Sequence, residues 1–247
     1  MQDGDFSPVY LNISEGVILH LCKQINMEQI HDSGKRCLSI LSSEENEELY
    51  SKSNSLNFEA GELIIKKGTP VNNIYFLKSG IVELSLNQTP HRQILNLLFD
   101  GEFIGINCVF STAQYRFSAR ALTNCSIELL DRETFTKLLK ANSTFSMAFI
   151  QYISWVNEDF LNWQMKLKEK NSAGALAFLI SEFQKNFDRN SFEIPLTRQE
   201  MAGIIGFSKE SVLKNLADFR KEGLIDSNGK SITIIDSSRL EEIAKYG

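Results

Sequence analysis

Between residues 56 and 131 the apolar positions come in short runs, at 63–65, 74–77, 81–86, 94–98 and 126–130, and Gly61, Gly68, Gly80, Gly101 and Gly105 punctuate them. Strand-length runs broken at such intervals predict an antiparallel β-roll or barrel. After Asp131 the spacing lengthens to a helical one. Thr134, Phe135, Leu138 and Leu139 mark a short helix, and no Pro or Gly interrupts residues 145–170, which predict a long one. Along it Phe149, Ile153, Val156, Phe160, Trp163 and Leu167 recur at steps of 4, 3, 4, 3 and 4. That mean period of about 3.5 is the period of a coiled-coil seam, so the expectation is self-association through this stripe. Upstream, residues 44–49 form a short helix candidate, and Val17, Ile18, Leu21, Ile25 and Ile30 make one side of a helix in an otherwise aperiodic leader.

The polar stretch 166–171 reads as a hinge, with Ser172 as the expected N-cap of a helix running to Phe187. Further on, Thr197 with Glu200 three residues later has capping-box spacing and starts a helix whose apolar side carries Met201, Ile204 and Ile205. Gly206 stops it. Ser208, with Ser211 three residues on, caps a second helix whose buried stripe is Val212, Leu216 and Phe219. Two short helices joined by a tight glycine turn predict a helix-turn-helix. The Asn228-Gly229 pair between residues 224–226 and 232–235 predicts a hairpin directly afterwards, which makes the motif a winged one.

The residue types left on the outer side of those helices suit DNA. Thr197, Arg198, Gln199, Ser208 and Ser211 lie at or just inside helix N-termini, where hydroxyls, amides and the positive end of the dipole grip phosphates. Lys209, Glu210, Leu213 and Lys214 project from the first turns of the second helix; Lys donates to guanine O6 and N7, and Glu accepts from cytosine N4.

Composition narrows the class further. Of the 247 residues 43% are apolar and 23% charged, and the net charge is −5, which argues against coating nucleic acid through bulk charge. Residues 172–247 hold 10 Lys and Arg against 11 Asp and Glu, so recognition has to come from local placement. Asp3, Asp5, Pro8 and Asn12 do not fit an export signal, and no run of about 18 apolar residues occurs, so the expectation is a cytoplasmic protein without a membrane partner. Four cysteines are too few for a disulfide framework. A catalytic reading fails for want of parts: only His91 lies in the predicted roll, which excludes a cupin metal site, and no Ser-His-Asp, Cys-His or P-loop arrangement is present.

The stretch Leu196-Thr197-Arg198-Gln199-Glu200 followed by Ala202, Gly206, Ser208, Glu210, Ser211 and Val212 resembles the signature of the Crp/Fnr family of bacterial transcription regulators. The β region adds Phe58-x-x-Gly61-Glu62, Gly68, Tyr75, Lys78-Ser79-Gly80-x-Val82 and Gly101-Glu102-Phe103-Ile104-Gly105, in the family's order and spacing. The resemblance covers roughly residues 44–235 and agrees with the pattern's division of an α+β chain into an N-terminal extension (1–40), a jelly-roll-like antiparallel β-roll sensor (41–144), a dimerisation helix (145–170) and a winged helix-turn-helix (171–247). It further implies a homodimer on a two-fold symmetric operator in double-stranded DNA, with half-sites about one turn apart, and RNA polymerase as a partner. Lys209, Glu210 and Lys214 stand where relatives place base-reading residues, with Lys where cAMP-binding relatives use Arg. The rival expectation is a sensor module acting through a protein partner.

The same resemblance marks a candidate effector pocket at Gly105, Ile106, Tyr115, Arg116, Phe160 and Leu161. cAMP is disfavoured. The Glu that relatives place after the cassette glycine to hold the ribose is Ile106 here, Tyr115 or Arg116 falls near the phosphate Arg, and Phe160-Leu161 replaces the Thr-Ser pair that meets the adenine, so a buried adenine edge would go unpaired. An apolar pocket suits haem, another flat hydrophobic molecule or no ligand. Oxygen-sensing relatives hold an iron–sulfur cluster on N-terminal cysteines plus one in the roll; Cys22, Cys37 and Cys125 echo that layout, with Cys108 as the remaining candidate metal ligand. For haem, Cys108 lies near the cassette, with His20, His31 and His91 as second ligands.

Overall fold

Two antiparallel sheets are built from the glycine-punctuated runs. The computed structural model describes residues 33–86 and 93–247; the leader helix expected around 17–30 lies outside them. Two helices come first, α1 (Ser33–Leu38) and α2 (Ser43–Ser51). Ser42 and Glu45 close a capping box at the start of α2, satisfying backbone N–H groups the first turn cannot pair internally. The strands β1 (Asn54–Phe58), β2 (Leu63–Ile65), β3 (Asn73–Ser79), β4 (Val82–Ser85), β5 (Ile94–Leu98), β6 (Phe103–Ile104), β7 (Ser118–Ala121) and β8 (Cys125–Asp131) follow, with the one-turn helix α3 (Ile106–Val109) between β6 and β7. One sheet runs β1-β8-β3-β6 and the other β2-β7-β4-β5. Their inner faces, with Ile74, Leu77, Val82, Phe103, Ala119, Ala121, Ile127 and Leu130, form one apolar core. The arrangement is the antiparallel β-roll expected from the sequence.

Glycine is required where the chain reverses against its neighbours. Gly80 has φ +105°, and a Cβ there would lie 2.6 Å from the Asn124 carbonyl oxygen and 2.7 Å from Cys125 Sγ. Its N–H donates to Asp100 Oδ1 at 2.7 Å, pinning the turn between β3 and β4.

Asp131 caps α4 (Arg132–Ala141) by accepting from the Thr134 amide at 2.9 Å. Asn142 caps α5 (Ser143–Glu169) by accepting from Phe145 N–H. At about 1.5 Å per residue this 27-residue helix spans about 40 Å. Its first half packs Phe145, Phe149 and Tyr152 into the roll, where Phe149 meets Phe103, Phe110 and Phe135 edge to face.

The remaining chain forms α6 (Ser172–Phe187), β9 (Ser191–Glu193), α7 (Arg198–Ile205), α8 (Lys209–Lys221), β10 (Ile225–Asn228), β11 (Ser231–Ile234) and α9 (Ser237–Tyr246). Asn171, rather than the expected Ser172, caps α6: its side chain accepts from the amides of Ala173 and Gly174, and Ser172 is already helical. The second core gathers Leu176, Leu179, Ile180, Phe183, Met201, Val212, Leu216 and Leu240. It also takes in Ile81, Ile94 and Leu97 from the roll and Leu167 from α5, and Phe99 stands edge-on to Phe183 at 5.9 Å. The outer side of β5 is therefore continuous with the core under the helix-turn-helix.

Candidate nucleic-acid interface

Local sequence fixes each end of α7 and α8. Thr197 and Glu200 form the expected capping box: the Thr197 amide donates to Glu200 Oε2 at 2.7 Å, and the Glu200 amide donates to Thr197 Oγ1 at 3.2 Å. Gly206 ends α7 with φ +77°, in the left-handed region that glycine enters without a Cβ penalty. Ser208 restarts the chain, its hydroxyl accepting from Ser211 N–H and lying 3.1 Å from Ser211 Oγ. Val212, Leu216 and Phe219 anchor α8 in the core. On the opposite side Lys209, Glu210, Leu213 and Lys214 are all exposed.

Thr197 and Gln199 are also exposed, while Ser211 is half-buried. Arg198 is already engaged within the chain. Half-buried, it donates from Nη2 to the Gly229 carbonyl at 2.5 Å and from Nη1 to Met201 Sδ at 3.1 Å, and burial lowers its pKa. Asn215 was not among the residues expected to matter. It occupies the buried side of α8 three positions after Val212 and donates to Ser172 Oγ at 3.0 Å, tying α8 to the first turn of α6. The signal for it is an amide inside an otherwise apolar stripe.

The wing differs in one detail from the sequence expectation. Asn228 pairs with Ser231, so the two-residue loop is Gly229-Lys230 and not Asn228-Gly229. Gly229 has φ +57° and Lys230 does not share a positive φ, the pattern of a type II′ turn with glycine first. A third strand, β9, pairs with β11 and was invisible as a three-residue segment.

At the other candidate site Gly105 sits at φ +69° beneath two rings: a Cβ there would lie 2.8 Å from Phe117 Cζ and 3.0 Å from Tyr115 Cε1. Tyr115 is buried, donates to the Asn73 carbonyl at 3.2 Å and packs edge-on to Tyr75 and Phe117. Burial raises its pKa. Gly105, Ile106 and Tyr115 are thus drawn into the roll core, whereas Arg116 and Leu161 are exposed and Phe160 is half-buried on α5.

Comparisons with known proteins agree with this layout. A family model described as the cyclic nucleotide-binding domain matches residues 55–142, and one described as the Crp-like helix-turn-helix domain matches residues 173–243. Electron transport regulator A of Shewanella oneidensis is 24% identical over 195 residues, covering 75% of this chain and 76% of that protein. Transcriptional activator protein anr of Pseudomonas aeruginosa is 24% identical over 190 residues, covering 74% and 78%. The chain belongs to the Crp/Fnr family of transcription regulators. Its fold is likewise similar to that of FixK2 from Bradyrhizobium japonicum, at 18% identity and a TM-score of 0.69 over 79% of this chain and 98% of that one.

In this Crp/Fnr regulator the aromatic stripe of α5 is largely consumed within the chain. Phe149 and Leu167 are buried, Ile153 and Val156 pack on the roll, and Trp163 lies 4.9 Å from the Phe178 ring in the second core. The large apolar side chains that α5 leaves exposed are Met147, Ile150, Leu161 and Met165, at 51%, 57%, 59% and 58%. Steps of 3, 11 and 4 residues are each near a whole number of turns, so these four share one face.

Cys37, Cys108 and Cys125 are all buried free thiols. Burial pushes Cys37 up to about 12 and raises Cys125, whose Sγ donates to the carbonyls of Thr123 and Ile81. Among the described residues no group of three or more His, Cys, Asp and Glu could hold a metal ion, so Cys37, Cys108 and Cys125 do not by themselves assemble an iron–sulfur site. Cys22, His20, His31 and His91 lie outside the described residues.

Proposed function

We propose that this regulator binds a two-fold symmetric operator in double-stranded DNA as a homodimer, with α8 in the major groove and the N-termini of α7 and α8 on flanking phosphates. The observation that carries this reading is the two-sidedness of α8: Val212, Leu216 and Phe219 fix it in the core, while Lys209, Glu210, Leu213 and Lys214 face outward from its first two turns. Lys209 and Lys214 suit guanine edges, Glu210 suits cytosine N4, and Thr197, Gln199, Ser208 and Ser211 suit phosphate oxygens.

The exposed face of α5 supports dimerisation. Four large apolar side chains on one side of a long helix call for a cover, and a second copy supplies an identical one. The partner-facing seam runs through Met147, Ile150, Leu161 and Met165, in place of the stripe from Phe149 to Leu167.

For signalling, Ile94 and Leu97 on β5 and Phe99 just after it give a physical route from roll to helix-turn-helix. A change in the roll shifts the balance between two placements of α8, a population shift. Against cAMP stand Ile106 where relatives place the ribose-binding Glu, and Phe160-Leu161 where they place the pair that meets the adenine. RNA polymerase is the partner expected of an operator-bound regulator. A cytoplasmic location is compatible with the absence, among the described residues, of any helix long and apolar enough to cross a membrane.

The test is titration of the purified protein against duplexes selected from a random pool, with Lys209→Ala alongside. Wild type is expected to prefer an inverted repeat, and the variant to lose discrimination at one base pair per half-site. Equal affinity for all duplexes would count against the reading.

A further inference from the structure

We propose that Arg198 is a positioning residue: it clamps the wing tip to the start of α7, setting the angle between wing and recognition helix, and does not itself neutralise a DNA phosphate. The inference rests on the DNA-binding reading above and assigns to this arginine a different job from the one its place at a helix N-terminus suggests.

The geometry is specific. Gly229 is the first of two turn residues, and its carbonyl lies beyond the last ladder pair, Asn228 with Ser231. A carbonyl there has no strand partner, and Arg198 Nη2 reaches it across 31 residues of sequence. The other half of the turn is held from the opposite direction, because the Lys230 carbonyl accepts from Ile194 N–H at 3.0 Å. The two-residue tip is therefore held from two sides, by a side chain of α7 and by the backbone just after β9. Nη1 is directed to Met201 Sδ, and Met201 is fully buried in the second core, so the guanidinium plane is fixed against a rigid support. Half-burial, and the lowered pKa that accompanies it, belong to a group packed into structure rather than one waiting in solvent for a phosphate. Arg does this where Lys would not, because a planar fork serves two acceptors in a fixed plane.

The consequence separates two readings of one residue. A phosphate contact releases counterions, so losing it reduces the slope of log K against log salt by about 0.9. Loss of a clamp weakens binding by loosening the wing, leaving the number of phosphate contacts unchanged.

The experiment uses the full chain and Arg198→Met, which keeps the apolar stem and the packing on Met201 but removes the donors. Amide exchange of residues 226–232 is measured by NMR without DNA, and affinity for the duplex that wild type selects from a random pool is measured over a range of salt. The clamp predicts faster exchange confined to the wing, roughly tenfold weaker binding, and a salt slope changed by less than half of that 0.9. A slope reduced by the full amount overturns it, whether or not the wing loosens. Unchanged wing exchange overturns it, as does faster exchange with undiminished affinity. Should the variant fail to fold, wild type with 15N-labelled arginine decides: guanidinium protons of Arg198 protected without DNA and unshifted by duplex support the clamp, whereas protons that become protected only on adding duplex contradict it. If wild type selects no duplex, the DNA-binding reading fails while wing exchange, and protection of the Arg198 guanidinium protons without DNA, still judge the clamp.

Discussion

Leu161→Glu should dissociate the proposed dimer without weakening the protomer. Full burial of a Leu side chain contributes about 1.5–3 kcal/mol, and because Leu161 is 59% exposed in the isolated chain, covering the remainder contributes about 1 kcal/mol per copy. A two-fold interface carries the substitution twice, so about 2 kcal/mol is lost from burial alone, which raises Kd roughly 30-fold at about 1.4 kcal/mol per decade. Placing a carboxylate in an apolar seam adds to that. Sedimentation equilibrium across a concentration series reads the shift, and thermal melting should place the variant within a degree or two of wild type under conditions where both are monomeric. Trp163→Ala should do the reverse: it removes the ring packed 4.9 Å from Phe178 and costs about 2 kcal/mol of protomer stability, with a much smaller effect on Kd. If Leu161→Glu dimerises as wild type does while Trp163→Ala gives a stable monomer, the stripe from Phe149 to Leu167 is the true seam and the face assignment is refuted.

Lys209→Ala should lose about 1–3 kcal/mol of discrimination at one base pair per half-site, read as competition between the selected duplex and its single-substitution variants. Ser208→Ala removes the cap of α8 and should lower stability by about 1 kcal/mol, read by urea denaturation. Gly80→Ala should cost about 1–3 kcal/mol, because the residue is held at φ +105° with the Asn124 carbonyl and Cys125 Sγ in the way; a neutral result would mean the turn can relax. Glu102 gives a pH signature. Burial raises its carboxyl from 4.5 to about 8, with Asp159 adding to the rise and the Phe99 N–H, a donor at 2.6 Å, opposing it. With the folded value above the unfolded one, its stabilising contribution is complete below about pH 4.5 and is lost as pH climbs towards 8. The Tm of Glu102→Gln relative to wild type should therefore be higher at pH 8 than at pH 5, and an identical difference at both would contradict the assignment.

Much of the fold was legible because it is written in local signals. The caps at Asp131, Thr197 and Ser208, the stop at Gly206 and the long uninterrupted helix each depend on a few neighbouring residues, and each lies where those residues place it. Elements whose cause is tertiary were hidden. Strand β1 is almost wholly exposed at a sheet edge, and β7, Ser118-Ala119-Arg120-Ala121, packs through small side chains with little hydropathy of its own. Helix α9 carries only Leu240 and Ala244 as buried anchors, and its place is set by contact with α6.

The site was legible to the same degree. Outward-facing residues of α8 follow from helical period, so their chemistry could be assigned from the chain. Arg198 could not, since its partner is a backbone carbonyl brought near by the wing. The stripe on α5 shows the limit of periodicity: the pattern identifies an apolar face, but a long helix lying on its own domains has two, and only packing tells which is already covered.

The central claim is that two copies present α8 to successive major grooves of one duplex. Hydroxyl-radical footprinting on the best duplex recovered from a random pool tests it most directly. The account predicts an inverted repeat whose half-sites are protected about one helical turn apart, roughly 34 Å or 10–10.5 base pairs between centres, related by two-fold symmetry. A single unsymmetrical protected patch, or no enriched sequence at all, would contradict it.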